Sequence, residues 1–158
     1  MKKIGTYTIR GQTDENESES GFPKTIRLFD GRFDTGYRVT KFQIFGASYT
    51  GSSAFVIGKL ATTDNLNTTT TNFMNAGDVR EIGWSVSAGA TDGGADIFAD
   101  SVIDRDNMIV EDLFVYARGN NDAAPVNYYI ELDKYEFPSA TGALTMVRNN
   151  AQNVSGDN

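Results

Sequence analysis

Val126-Asn127-Tyr128-Tyr129-Ile130-Glu131-Leu132-Asp133 decides the fold of this chain. Val126, Tyr128, Ile130 and Leu132 fall on one face of an extended strand, and Asn127, Glu131 and Asp133 fall on the other. Side chains along a strand alternate between faces, so this spacing predicts a β-strand with one face in a core and one in water. Ile82, Trp84 and Val86 alternate with Glu81, Gly83 and Ser85 in the same way. This reading puts Trp84 in the core, where its indole N–H needs an acceptor.

Working outward, strand-like runs recur at Gly5–Arg10, Lys24–Phe29, Gly36–Phe45, Ala54–Thr62, Arg80–Ser87, Asp96–Ile103, Asn107–Ala117 and Val126–Phe137. Turn formers separate them: Asp30-Gly31, Asp34-Thr35-Gly36, Thr50-Gly51-Ser52-Ser53, Asp92-Gly93-Gly94 and Gly119-Asn120-Asn121-Asp122. Long helical periodicity between strands is missing, which argues against α/β crossovers and for an all-β, mostly antiparallel sandwich of about eight strands. In Gly36–Phe45 the apolar set moves from Tyr37 and Val39 to Phe42 and Ile44. That shift predicts either a strand covered on both faces or a bulge near Thr40-Lys41. In Asn107–Ala117, Glu111-Asp112 interrupts two alternations, Ile109/Leu113/Val115 and Val110/Phe114/Tyr116, so the strand is expected to be buried on both faces toward its end.

Two segments depart from the pattern. Asn65–Asn75 is rich in Thr and Asn and is expected to be an exposed loop or a weak edge strand. After Pro138, Ser139 can cap a short C-terminal helix in which Ala140, Ala143, Leu144, Val147 and Ala151 share a face. The chain is expected to be a single domain over 1–158 with polar arms at 1–20 and 149–158. Gln12–Ser20 and Asn149–Asn158 are too polar to fold alone, and at least one is expected to lie on a neighbouring subunit.

Composition narrows the function. The 158 residues include no histidine and no cysteine, so there is no neutral-pH general base of the usual kind, no thiol nucleophile and no disulfide framework. A Ser-His-Asp triad is impossible, and no Gly-x-Ser-x-Gly elbow or phosphate-binding Gly-x-x-x-x-Gly-Lys-Ser/Thr loop is present. The expectation is a protein that is not an enzyme and takes no cofactor. Net charge is −7, which disfavours direct contact with nucleic acid or an anionic membrane. Neither a secretory leader nor an apolar run of membrane-spanning length stands out, so the chain is expected to be made and kept inside a cell.

The charge is concentrated. From Gly89 to Asp112 there are seven acids against one base, Arg105. Asp92, Asp96 and Asp100 are weak candidates for calcium, since hard oxygen ligands in a Gly-rich loop are what that ion needs. Their spacing matches no EF-hand loop, and the plainer reading is a solvated loop with no metal. Paired carboxylates with Tyr37, Tyr49, Trp84, Tyr128 and Tyr129 also raise a sugar site or, more remotely, a carboxylate hydrolase, though aromatics at a spacing of two are more often core or interface. Between Leu28 and Val39, two turn signals bracket Phe33. The plain reading is a tight connection; the alternative is a contact loop in which Phe33 supplies area and Arg32 and Asp34 supply register.

Several blocks carry a resemblance: Ile26 through Val39, Glu81-Ile82-Gly83-Trp84, Asp106 through Ala117, Asn127 through Leu132, and Ala143 through Asn149. Together they resemble small proteins of marine bacteriophages that are taken for virion components. The resemblance implies a viral β-sandwich of the jelly-roll kind, a self-assembling capsid or capsid-surface subunit made in the host cytoplasm and resident in the virion. Its partners would be copies of itself and other virion proteins. The alternative is a carbohydrate- or receptor-binding domain of a spike or tail, with a glycan receptor as partner. The resemblance brings no site residues with it.

Overall fold

The structure is a computed structural model that describes residues 1–13, 23–47, 55–66, 68–69, 71–89, 98–119, 125–138 and 144. Its eight strands are β1 (Lys2–Gln12), β2 (Lys24–Ile26), β3 (Thr35–Gly46), β4 (Val56–Ala61), β5 (Glu81–Ala88), β6 (Phe98–Ile103), β7 (Leu113–Gly119) and β8 (Val126–Glu136). They form two sheets, ordered β1-β8-β3 and β2-β7-β4-β5-β6, with antiparallel pairing throughout. The expected all-β antiparallel sandwich is the observed fold.

The order of the strands identifies the architecture more closely. β1 pairs with β8, β2 with β7 and β4 with β5, as in one long hairpin rolled up on itself. The remaining couple, β3 and β6, lie side by side, with Thr40 and Lys41 across a cleft from Ser101, Val102 and Ile103. This is the winding of a jelly roll. Its one departure is that β6 bonds to β5 instead of β3. Ser85 closes that seam: its Oγ accepts from Ile44 N–H of β3 at 3.1 Å and donates to Asp100 C=O of β6 at 3.3 Å. Ser85→Ala should therefore leave two backbone groups unpaired and cost about 1–3 kcal/mol, read as a lower urea midpoint with an unchanged slope.

Between the sheets, Val39, Phe42, Ile44, Leu60, Ile82, Leu113, Val115, Ile130 and Leu132 form the main core. β8 buries Val126, Tyr128, Ile130 and Leu132 as its alternation requires. In β3 the register shifts between Val39 and Lys41, so Thr40 is the extra residue of a bulge, which accounts for the change of phase. β7 begins later than its apolar run. Ile109 instead exchanges two backbone hydrogen bonds with Tyr37 of β3, at 2.7 and 2.8 Å, and the chain crosses to the other sheet at Glu111-Asp112. The two alternations belong to the two sheets. From Leu113 on, β7 is buried on both faces as expected, with Leu113, Val115 and Ala117 inward and Tyr116 outward.

Two expectations are corrected. Trp84 is only half-buried and lies on the outer face of the larger sheet, opposite Lys59. A register shift at Leu60/Ala61 lets Ile82 enter the core, and beyond it the inward positions are Gly83 and Ser85. Gly83 leaves room for Phe42 of the facing sheet, as Gly58 of β4 does for Ile44, and Ser85 reaches the Ile44 backbone. The segment Asn65–Asn75 is no mere surface loop. Leu66 and Phe73 are buried against Ala61 and Tyr116, so the β4–β5 connection caps the outer face with a second small core. Of the expected arms, residues 2–12 form β1, while 14–22 and 149–158 lie outside the described residues, as does the expected C-terminal helix apart from the exposed Leu144.

Candidate functional site

The contact loop proposed from Arg32, Phe33 and Asp34 is a braced turn between β2 and β3. Leu28 turns inward and Phe29 outward, and Gly31 takes φ +84°, a conformation in which an L side chain is strained. Asp30 organises the turn. It accepts the Arg32 N–H at 3.0 Å and the Thr35 hydroxyl at 3.0 Å, and it pairs with Lys134 of β8 at 2.6 Å. Desolvation opposes ionisation of Asp30, but the bonds from Lys134, Arg32 and Thr35 outweigh it and hold its pKa below 3.8. The Arg32 guanidinium forks onto Asp34 at 2.9 and 2.8 Å and reaches Glu136 at 2.8 Å. The Asp34 hydrogen bond, with that of Glu136, raises the pKa of Arg32, and the Arg32 bond lowers that of Asp34. These exposed pairs are weak as stabilisers, because water and salt screen them. Their effect is geometric: Phe33, 55% exposed, is held with its ring 5.5 Å from that of Phe29, 43% exposed.

Phe29 also walls a groove of about 340 Å³. Phe114 forms another apolar wall, Asp64, Glu111 and Asp112 supply carboxylates, and Thr62 and Thr63 supply hydroxyls. Glu111 and Asp112 reach this groove because they sit where the chain crosses between sheets.

On the capped outer face, a fully buried lysine is the feature that the sequence reading passed over. Lys59 points under the β4–β5 connection, donates to the Phe73 carbonyl and lies 3.6 Å from Glu81. Its ammonium sits over the rings of Phe73 and Tyr116 at 4.6 and 5.2 Å. Desolvation pushes its pKa below 10.5, against the pull of Glu81. Glu81 also accepts the Asn75 N–H at 3.0 Å and the Trp84 indole N–H at 3.1 Å, so the indole has its acceptor. Tyr116, raised to about 12 chiefly by burial, donates to Thr63 C=O and accepts Leu66 N–H. The bonds to Phe73, Asn75, Thr63 and Leu66 tie the connection to the sheet. The signal was present in the sequence as a lysine inside the apolar run Val56-Ile57-Gly58-Lys59-Leu60-Ala61.

Of the calcium candidates, Asp92 and Asp96 lie outside the described residues. Asp100 is exposed, with one carboxylate oxygen accepting the Ser101 N–H at 2.8 Å. Among the described residues, no three Asp, Glu, His or Cys side chains are placed to hold a metal ion, and no helix is long and apolar enough to cross a membrane.

No protein-family model matches the chain, and no curated protein matches it. Among solved structures, it is similar to one described as the acidic stable capsid structure of Helicobacter pylori bacteriophage KHP30. Identity there is 8%, over 85% of this chain and 96% of that one, with a TM-score of 0.41. It is also similar to a Bacillus endospore appendage structure, described as forming a novel family of disulfide-linked pili. That match has 11% identity, covers 87% of this chain and 92% of that one, and has a TM-score of 0.38. At these scores the likeness is one of general shape, and no functional argument rests on it.

Proposed function

We propose that the protein is a non-enzymatic structural subunit of a bacteriophage virion, a capsid or capsid-surface component. Its partners are copies of itself and other virion proteins. The observation that carries this reading is the braced Phe29–Phe33 pair. Two neighbouring phenylalanines in water cost hydration free energy, and a turn held by Asp30, Arg32 and Thr35 has little conformational freedom left to lose when a partner covers them. Arg32 and Asp34 then set register, as charged groups beside an aromatic anchor do. The reading assigns no catalytic residue, cofactor, nucleic acid or membrane to the protein.

Phe33→Ala tests it. The monomer should stay folded, with stability changed by less than about 1 kcal/mol, because the ring is mostly exposed. Association should weaken by about 2 kcal/mol or more, as for a central anchor. Melting temperature and negative-stain microscopy read the two effects. A variant that assembles like the parent protein would remove Phe33 from the interface.

The groove beside Phe29 favours a second reading, a glycan- or receptor-binding domain of a spike or tail. Two aromatic walls with three carboxylates and two hydroxyls suit a sugar ring. Dispersed monomers that bind a glycan, and lose it on Phe114→Ala, would support that reading over the first.

A further inference from the structure

The smaller sheet ends in a strand that is long and open. β1 runs for eleven residues and pairs with β8 alone among the described strands. The other edges are less available, since β2 has three residues and β6 is turned against β3. A row of unpaired backbone N–H and C=O groups is a template for another strand, and proteins that avoid such pairing guard it with charge, proline or bulges. Here the guards stand at one end: Lys2, Lys3 and a register shift at Ile4. Past them, Thr6-Tyr7-Thr8-Ile9-Arg10 contains no proline and one charge.

The pattern of that stretch suits its own copy. Tyr7 lies opposite Leu132 and Ile9 opposite Ile130, so both turn toward the sandwich. Even so, Tyr7 stays 50% exposed, its ring in an edge-on pair with that of Tyr37 at a centroid distance of 6.4 Å. An antiparallel partner related by a two-fold axis through Thr8 keeps inner and outer faces aligned. Thr8 then faces Thr8, each Tyr7 faces an Ile9, and each Arg10 faces a Thr6. Aromatic rings opposite β-branched residues are favourable cross-strand pairs, and this register sets no like charges directly opposite each other. We infer that β1 is a self-association edge, pairing antiparallel with β1 of a second copy about Thr8 to make one continuous six-stranded sheet. The inference rests on the self-assembly reading above and names one of its contacts.

The natural sequence has no cysteine, so a single introduced thiol reports the contact cleanly. Directly opposite residues in an antiparallel pair lie about 4.5–5.5 Å apart at Cα, within disulfide reach. Thr8→Cys in the full chain should form disulfide dimers under mild oxidation at least roughly tenfold faster than Lys41→Cys, an exposed position on β3 at the opposite side of the sheet from β1. Both substitutions are at exposed sites and should leave the melting temperature unchanged. Equal rates at Thr8 and Lys41 would overturn the pairing. Particles that form in the microscope without the Thr8 cross-link would sink the pairing and leave the virion reading standing. A fast Thr8 cross-link in protein that never grows beyond a dimer would keep the pairing and sink the virion reading.

Discussion

Lys59→Ala should destabilise the protein by about 3–5 kcal/mol, enough to consume much of a single domain's stability. The substitution removes a cation that is fully buried, leaving Glu81 without its ion pair and the Phe73 carbonyl without its donor. It also empties space between Phe73 and Tyr116. Breaking one side of a buried pair is costly because the other charge stays behind, whereas replacing both sides with neutral groups is often tolerated. Lys59→Met combined with Glu81→Gln should therefore recover most of the loss. The sign of the pH effect is distinctive. Because burial lowers the lysine pKa, the unfolded chain holds that proton more tightly, and the site's contribution to stability rises as pH climbs from the folded pKa toward 10.5. Urea midpoints of the parent, single and double variants check all three points. Single and double variants that are equally unstable would mean that the hydrogen bond to the Phe73 carbonyl, which methionine cannot donate, carries the role of Lys59, and not the balance of charge with Glu81.

Phe42→Ala should cost about 3–5 kcal/mol, and Trp84→Ala should cost less, about 1–2 kcal/mol, although tryptophan is the larger residue. Phe42 is wholly buried at the centre of the main core. Trp84 stands on the outer face, half in water, and beside Met74 and Val102 in a shallow depression. Truncating it loses partial burial and one hydrogen bond to Glu81, while the sandwich beneath stays filled. Thermal melts of the two variants decide between this ranking and the one that strand alternation alone suggests. A Trp84→Ala protein that fails to fold would restore the tryptophan to the core.

All eight strands were legible as runs because the period of two is a local property: each residue's face follows from its neighbour's. The apolar face of Val126–Leu132 and the change of phase near Thr40 were readable for the same reason, while the choice there between a bulge and two covered faces fell to the pairing with β8. The exposed turn around Phe33 was readable from its composition, since Asp-Gly and Asp-Thr-Gly bracket a single aromatic between charges.

Which face of β5 turned inward was not a local property. One shifted residue at the β4–β5 pairing reverses every side chain beyond it, and the bulk of Phe42 across the gap and the backbone groups that Ser85 bonds explain why Gly83 and Ser85 point in. The burial of Lys59 was likewise decided by a loop that returns over its strand. A polar segment such as Asn65–Asn75 covers a sheet only when the sheet offers partners for its backbone, and Tyr116 and Lys59 supply them. Local alternation thus determined the strands and their number. Tertiary structure alone decided the pairing order, the seam closed by Ser85 and the long open edge of β1, because each depends on residues far apart in the chain meeting across a gap.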